Sequence, residues 1–261
     1  MNTVIVPVDF SETSLNAARY AAHFLKGHYG VNLILYHSYT KEGDKDEITG
    51  KLEQLKSKLM QDVPVNIEIL AFREDNFIEG LEKTARHRRA NLVIMGITGK
   101  STLAQVLFGS NTLKMAETKA CPVMIIPVNA SYSEIKNVLL TTDLKNVVST
   151  TPSVPIKKVL SAFHAKLHIV NVNSEHYIEL SEEFAGEKEK LTQMFTDFSP
   201  EFYFLRLYDI DEAIHEFAKD KKIDLIIAIQ KEHSLVHKLF SAGHLKKLAY
   251  ESTVPVMTVH E

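Results

Sequence analysis

The stretch MGITGKSTLAQVLFGSNT, residues 95–112, follows directly on the apolar run 91–95 and sets Gly96, Gly99, Gly109 and Ser110 at the spacing G-x2-G-x9-G-[ST]. Glycines at the tip of a buried strand let the backbone turn sharply and bring its N–H groups close to an anion with no Cβ in the way. Ser110 reads as an N-cap, and residues 111–117 are predicted to continue as a helix whose free N–H groups and positive dipole end face that anion. Strand, glycine loop and helix in this order make a βα unit of a parallel sheet with a phosphate cradle at the strand's carboxyl end. A single glycine near a strand end serves only a turn, but here three glycines, a hydroxyl, a strand and a helix coincide. Two other phosphate motifs are excluded. A P-loop ending at Gly99-Lys100-Ser101 needs a glycine where Ile94 stands, and the first strand runs into Asp9-Phe10-Ser11 with no dinucleotide fingerprint.

Working outward, apolar runs at 3–8, 32–36, 66–71, 92–95 and 123–127 alternate with helical patterns. That alternation predicts a doubly wound α/β domain with a five-stranded parallel sheet. The first helix is predicted from Ser11, with Leu15, Ala18, Ala22 and Leu25 on the face that packs against the sheet.

The second half restates the first. Val138-Leu139-Leu140-Thr141-Thr142-Asp143 answers Val4-Ile5-Val6-Pro7-Val8-Asp9, an offset of 134. Asp224-Leu225-Ile226-Ile227 answers Asn91-Leu92-Val93-Ile94, and Val254-Pro255-Val256-Met257 answers Cys121-Pro122-Val123-Met124, both at 133. Two copies of one domain, 1–130 and 135–261, are expected, joined by the polar stretch 129–136. The copies are expected to pack through their last strands, 123–127 and 254–259, since an apolar edge strand invites pairing. Where copy one has Gly96, Gly99 and Gly109, copy two has Ile229, Glu232 and Ser241 or Ala242. A carboxylate at Glu232 repels a triphosphate, so one nucleotide per chain is expected.

The 261 residues are 45% hydrophobic and 24% charged, the balance of a globular protein, with a net charge of −3 that exerts no overall pull on nucleic acid or anionic lipid. Lys83, Arg86, Arg88 and Arg89 crowd one predicted helix end, where cations favour the dipole and water. A strand begins within three residues of the start and no apolar run reaches membrane-spanning length, so a cytoplasmic location is expected. The one cysteine, Cys121, precedes Pro122 at the start of a strand and reads as a buried strand residue.

Pro7-Val8-Asp9 after the first strand, Met95-Gly96 through Ser110, and Cys121-Pro122-Val123-Met124 together resemble the universal stress protein family, specifically tandem members with two fused copies. The resemblance covers nearly the whole chain, and its first domain is similar to the family's ATP-binding branch. It implies an adenine nucleotide alpha hydrolase-like fold, packed as an intrachain pseudo-dimer, the chain being a monomer of that kind or a homodimer. It also implies ATP held by backbone groups at Gly96, Gly99 and Gly109 with Ser110, Asn111 and Thr112. Pro7, Val8, Asp9 and Met95 would border the adenosine. Asp9 reads either as an acceptor for ribose or adenine or as a helix N-terminal acid beside Ser11. Lys100 is a secondary phosphate candidate, and Ser38, after His37, stands where many relatives carry an apolar residue.

Other chemistry is set aside. His233 and His237 share a helix spacing, with His244 beyond, but Ser234 stands where a zinc-protease motif needs glutamate, so no metal site is assigned. Phe108-Gly109-Ser110-Asn111-Thr112 is not G-x-S-x-G, and no catalytic residue is assigned. The leading reading is an ATP-binding stress-response regulator with a protein partner and no nucleic-acid or membrane role. The alternatives are a slow ATPase using Mg²⁺ and a nucleotide-free interaction or scaffold protein.

Overall fold

The computed structural model describes residues 1–97, 105–172, 182–205, 210–230 and 242–261, with the backbone alone at 105–110, 172, 183, 210, 211 and 242–246. The chain divides into two compact units, Met1–Tyr132 and Ser133–Glu261.

In the first unit β1 (Thr3–Pro7), α1 (Glu12–Phe24), β2 (Asn32–Tyr39), α2 (Lys45–Asp62), β3 (Asn66–Arg73), α3 (Phe77–His87), β4 (Leu92–Ile97), α4 (Gln105–Glu117) and β5 (Val123–Pro127) succeed one another. The strands are parallel in the order β3-β2-β1-β4-β5. The chain therefore winds one way from β1 and then the other, and the reversal falls between β1 and β4. Helices cover both faces, so the central strands bury side chains on both sides: Val4, Ile5, Val6, Leu33, Leu35, Val93 and Ile94 are almost wholly enclosed. This explains why these strands read as continuous apolar runs rather than alternating ones.

Ser11 caps α1, its side chain accepting from the Ser14 N–H. Of the predicted packing face Ala18, Ala22 and Leu25 are buried and Leu15 is half-buried, and Ala17 and Ala21 are buried with them. Four alanines let the helix approach β4 closely. On its outer side Asn16 donates through Nδ2 to the carbonyls of Pro127 (3.4 Å), Val128 (3.3 Å) and Ala130 (2.9 Å). Tyr20 and His23 lie against Tyr132, with ring centroids 5.4 and 6.2 Å apart. Residues 16, 20 and 23 share one helix face, so α1 straps down the segment leaving β5. That segment is not simply polar, since Ala130 and Ile135 are buried.

The second unit contains β6 (Asn137–Thr142), α5 (Val147–Thr150), α6 (Ser153–Phe163), β7 (Lys166–Val172), α7 (Glu182–Met194), β8 (Glu201–Leu205), α8 (Ile210–Asp220), β9 (Leu225–Gln230), α9 (Ala242–Glu251) and β10 (Val256–His260). Its strands are parallel in the order β8-β7-β6-β9-β10. The strand registers repeat at the sequence offsets. Val4 pairs with Leu92 and Val138 with Leu225; Val93 pairs with Val123 and Ile226 with Val256. Left-handed residues recur too, at Phe10 (φ 63°) and Leu144 (φ 53°), and at Arg89 (φ 49°) and Lys222 (φ 51°). Asn91 Oδ1 accepts from the N–H groups of Asn2 and Thr3, and Asp224 Oδ2 accepts from those of Lys136 and Asn137.

The units differ in their first helix. A Cβ on Gly96 would lie 2.5 Å from the Thr13 carbonyl oxygen, so α1 runs unbroken across β4 only because residue 96 has none. The corresponding residue of the second unit is Ile229, fully enclosed, and there the helix is split into α5 and α6.

The second unit also buries a histidine. His168, 3% exposed, holds Nε2 against Asn137 Oδ1 at 3.2 Å, while its Nδ1 has no hydrogen-bond partner. Burial pushes its pKa below the ordinary value, and Lys166 and Lys221 push the same way against the opposing pull of Glu201. Tyr203 and Phe217 wall it in with their rings. A base with a depressed folded pKa binds fewer protons than in the unfolded chain, so stability is present above about pH 6.5 and falls below it. The first unit has Ile34 at this position. His168→Ile is expected to flatten that loss and to raise stability at pH 6 by on the order of 1 kcal/mol, since a buried unmatched nitrogen is removed. Thermal melts between pH 5 and 8 check it.

Candidate functional site

A cleft of about 250 Å³ opens at the carboxyl ends of β1, β2 and β4, beside the reversal of strand order. Pro7, Val8 and Asp9 come from the end of β1, Ser11, Thr13 and Ser14 from the start of α1, and His37 and Ser38 from β2. Phe77 opens α3, Met95 and Gly96 come from β4, and Asn111 and Thr112 from α4. Small-molecule sites in open α/β sheets form at such a crevice because the loops on either side diverge there.

The turn after β1 is held by its own hydrogen bonds. Asp9 Oδ1 accepts from the Ser11 N–H (3.0 Å) and the Ser11 hydroxyl (2.5 Å), and the Asp9 N–H donates to Ser14 Oγ (3.3 Å). Nearby protein raises the Asp9 pKa, but the donors from Ser11 and Ser14 outweigh it and hold the carboxyl below its usual range. Between Asp9 and Ser11, Phe10 takes a left-handed conformation that costs a bulky residue energy; its ring rests on His37 with centroids 5.2 Å apart. His37 Nδ1 donates to the Val8 carbonyl (2.5 Å), which leaves Nε2 as the acceptor of the neutral ring. Asp9 thus serves as an organiser of the helix start, the second of its two sequence readings, and also borders the cleft.

Of the site residues named from sequence, Pro7, Val8, Asp9, Met95, Gly96, Asn111 and Thr112 meet at this cleft. Gly99 and Lys100 lie outside the described residues, as do His233 and His237. Two expectations are corrected. Gly96 is not the turn after a strand but a paired residue inside β4, opposite Ile126, and its missing Cβ admits the backbone of α1 rather than an anion. Ser110 is not an N-cap, because α4 is already helical from Gln105 and carries Gly109 and Ser110 in its interior. Residues 105–108 include good helix formers, and a helix tolerates one glycine at a cost of about 1 kcal/mol.

Thr112 is wholly enclosed and its hydroxyl donates to the Gly96 carbonyl (2.8 Å), tying α4 to β4. A hydroxyl has one proton to give, so this one is not available to a phosphate. Thr112→Val is expected to lower stability by about 1 kcal/mol while changing nucleotide affinity less than about threefold. Chemical denaturation and titration calorimetry on the same variant separate these effects.

Sequence reasoning missed Thr13, Ser14 and Phe77. The helix start at Ser11 was legible and points to the first two, because a helix that begins at a central strand's tip presents its first turn to the crevice. Among the described residues the Thr13 N–H has no acceptor.

Among the described residues the second unit keeps part of the frame of this site. Asn171 Nδ2 donates to the Thr142 carbonyl (3.0 Å) as His37 does to Val8, and the Lys145 N–H donates to Asp143 Oδ1 (3.1 Å) as Ser11 does to Asp9. At the counterpart of Thr13, however, the buried Val147 N–H donates to Glu187 Oε2 of α7 at 2.7 Å. A carboxylate of the chain itself occupies the helix start, and Ile229 replaces the glycine.

The Usp family model, described as the universal stress protein family, matches residues 1–127. A universal stress protein of Methanocaldococcus jannaschii is 25% identical over 136 residues, spanning 47% of this chain and 80% of that one. One of Thermus aquaticus is 26% identical over 134 residues, 48% of this chain and 97% of that one. The crystal structure of a universal stress protein from Archaeoglobus fulgidus superimposes with a TM-score of 0.73 at 18% identity, over 99% of this chain and 98% of that one, so the fold is shared along both units. With the strand order, the β1 tip and Gly96 in place, the first unit is similar over residues 1–127 to the universal stress protein family.

Proposed function

We propose that the first unit binds an adenine nucleotide, ATP, in the cleft at the ends of β1, β2 and β4, and that occupancy governs how the protein engages a partner in a stress response. The observation that carries this reading is the convergence of Pro7, Val8, Asp9, Met95, Gly96, Asn111 and Thr112 on one crevice at the reversal of strand order. The wall suits a nucleoside. Val8, Met95 and Phe77 supply apolar surface, and His37 Nε2 and the Ser38 hydroxyl supply polar groups for a base or ribose edge. The phosphates would run from the cleft toward α4, and Mg²⁺ would travel with them. No described residue is assigned to activating water, so the nucleotide is read as a bound signal and not as fuel.

The second unit, with Glu187 and Ile229 in the corresponding places, is read as binding no nucleotide. Mass spectrometry of small molecules released from freshly purified, denatured protein tests the reading, together with calorimetric titration by ATP. Adenine nucleotide in the released fraction, or saturable binding, supports it. Absence from both overturns it in favour of a nucleotide-free interaction protein.

A further inference from the structure

We propose that the cleft holds the base of its ligand against an aromatic shelf built by Phe77, Phe72 and Tyr36; this rests on the nucleotide reading of that cleft. Phe77, at the start of α3, lines the cleft directly. Its place is fixed by Asn76, whose side chain accepts from the N–H groups of Ile78 and Glu79. Phe72 is 43% exposed, a large apolar side chain left open to solvent. It is the register partner of Ser38, a cleft residue on the neighbouring parallel strand, so the two side chains stand together on one sheet face.

Beneath both lies Tyr36, two residues before Ser38 and on the same face. It is fully buried, with its ring centroid 6.3 Å from that of Phe72 and 6.4 Å from that of Phe77. Seating it has a structural cost. Gly80 sits inside α3, where glycine disfavours a helix, and a Cβ there would come within 2.8 Å of the Tyr36 hydroxyl oxygen. Burial and the nearby Glu74 push the Tyr36 pKa up to about 12, so the ring stays neutral.

The sister unit supplies the control. By strand register Tyr36 and Phe72 correspond to Val170 and Leu205, and at the same offset Phe77 and Gly80 correspond to Ile210 and Ala213. In the sequence all three aromatic residues and the accommodating glycine are replaced together by aliphatic residues. The fold therefore does not need the aromatic group, and it stands where the first unit has its cleft. A flat, polarisable shelf with the Ser38 hydroxyl at its edge suits a purine base, stacked on Phe77 and flanked by Phe72.

Calorimetry on the full chain with two probes, ATP and inorganic tripolyphosphate, tests this. Phe77→Ala and Phe77→Leu are each expected to weaken ATP binding about tenfold or more, and Phe72→Ala about threefold. Phe77→Trp is expected to retain affinity, and tripolyphosphate binding is expected to stay the same throughout. Wild-type ATP affinity in Phe77→Ala and Phe77→Leu overturns the shelf and leaves the nucleotide reading standing. Parallel loss of ATP and tripolyphosphate also overturns it, by making Phe77 a structural residue. A wild-type chain that binds neither probe overturns the nucleotide reading, and the shelf with it.

Discussion

Gly96→Val is expected to abolish nucleotide binding and to cost the first unit about 2 to 3 kcal/mol, the upper range for overpacking a close contact. The reason lies in backbone, which cannot swing aside as a side chain can. A Cβ at residue 96 would meet the Thr13 carbonyl oxygen at 2.5 Å, its carbonyl carbon at 2.9 Å and its methyl at 2.8 Å. To make room, the start of α1 must lift from β4. That movement carries Thr13 and Ser14 away from the cleft and strains the hydrogen bonds of Asp9 to Ser11 and Ser14. In the second unit a larger residue already stands there, and Ile229 coincides with a first helix split into α5 and α6. Gly96→Ala is expected to show the same effects at smaller size. Denaturation midpoints with ATP titrations check both, and a fully stable Gly96→Val that binds ATP normally would contradict the role given to this glycine.

Glu187→Ala is expected to have the second large effect, and on stability alone. Its carboxylate accepts from the buried Val147 N–H at 2.7 Å and pairs with Lys190 at 2.6 Å. Removing it leaves a buried donor unmatched at a helix start, where negative charge is favoured. Losses of about 2 to 3 kcal/mol are usual for charge-assisted bonds of this kind. Glu187→Gln keeps an acceptor oxygen and is expected to lose about half as much. Neither variant is expected to change ATP affinity, because Glu187 belongs to the unit read as empty. Unchanged melting of Glu187→Ala would show that the N–H is satisfied in some other way.

The five-stranded parallel sheet of each unit was legible because buried parallel strands write themselves as short apolar runs separated by helix-length segments. The repeat offsets of 134 and 133 reappear in the registers of Val4 with Leu92 and Val138 with Leu225. The cleft was legible where residues are local to a strand tip, as at Pro7, Val8 and Asp9. It was not legible where the cause is a contact distant in sequence. Nothing around Gly96 says that its Cβ would collide with Thr13, which is why the glycine reads as a turn. Ser110 reads as a cap because serine is common there, yet helix formers upstream carry α4 back to Gln105. Phe77 looked like any helix residue, since its role depends on Tyr36 from another strand.

The most direct test of the central claim is the stoichiometry of ATP on the intact chain, read by titration calorimetry and by native mass spectrometry. The account predicts one ATP per chain, lost in Gly96→Val and kept in Glu187→Ala. Two ATP molecules per chain, or one that survives Gly96→Val and disappears in Glu187→Ala, would contradict it.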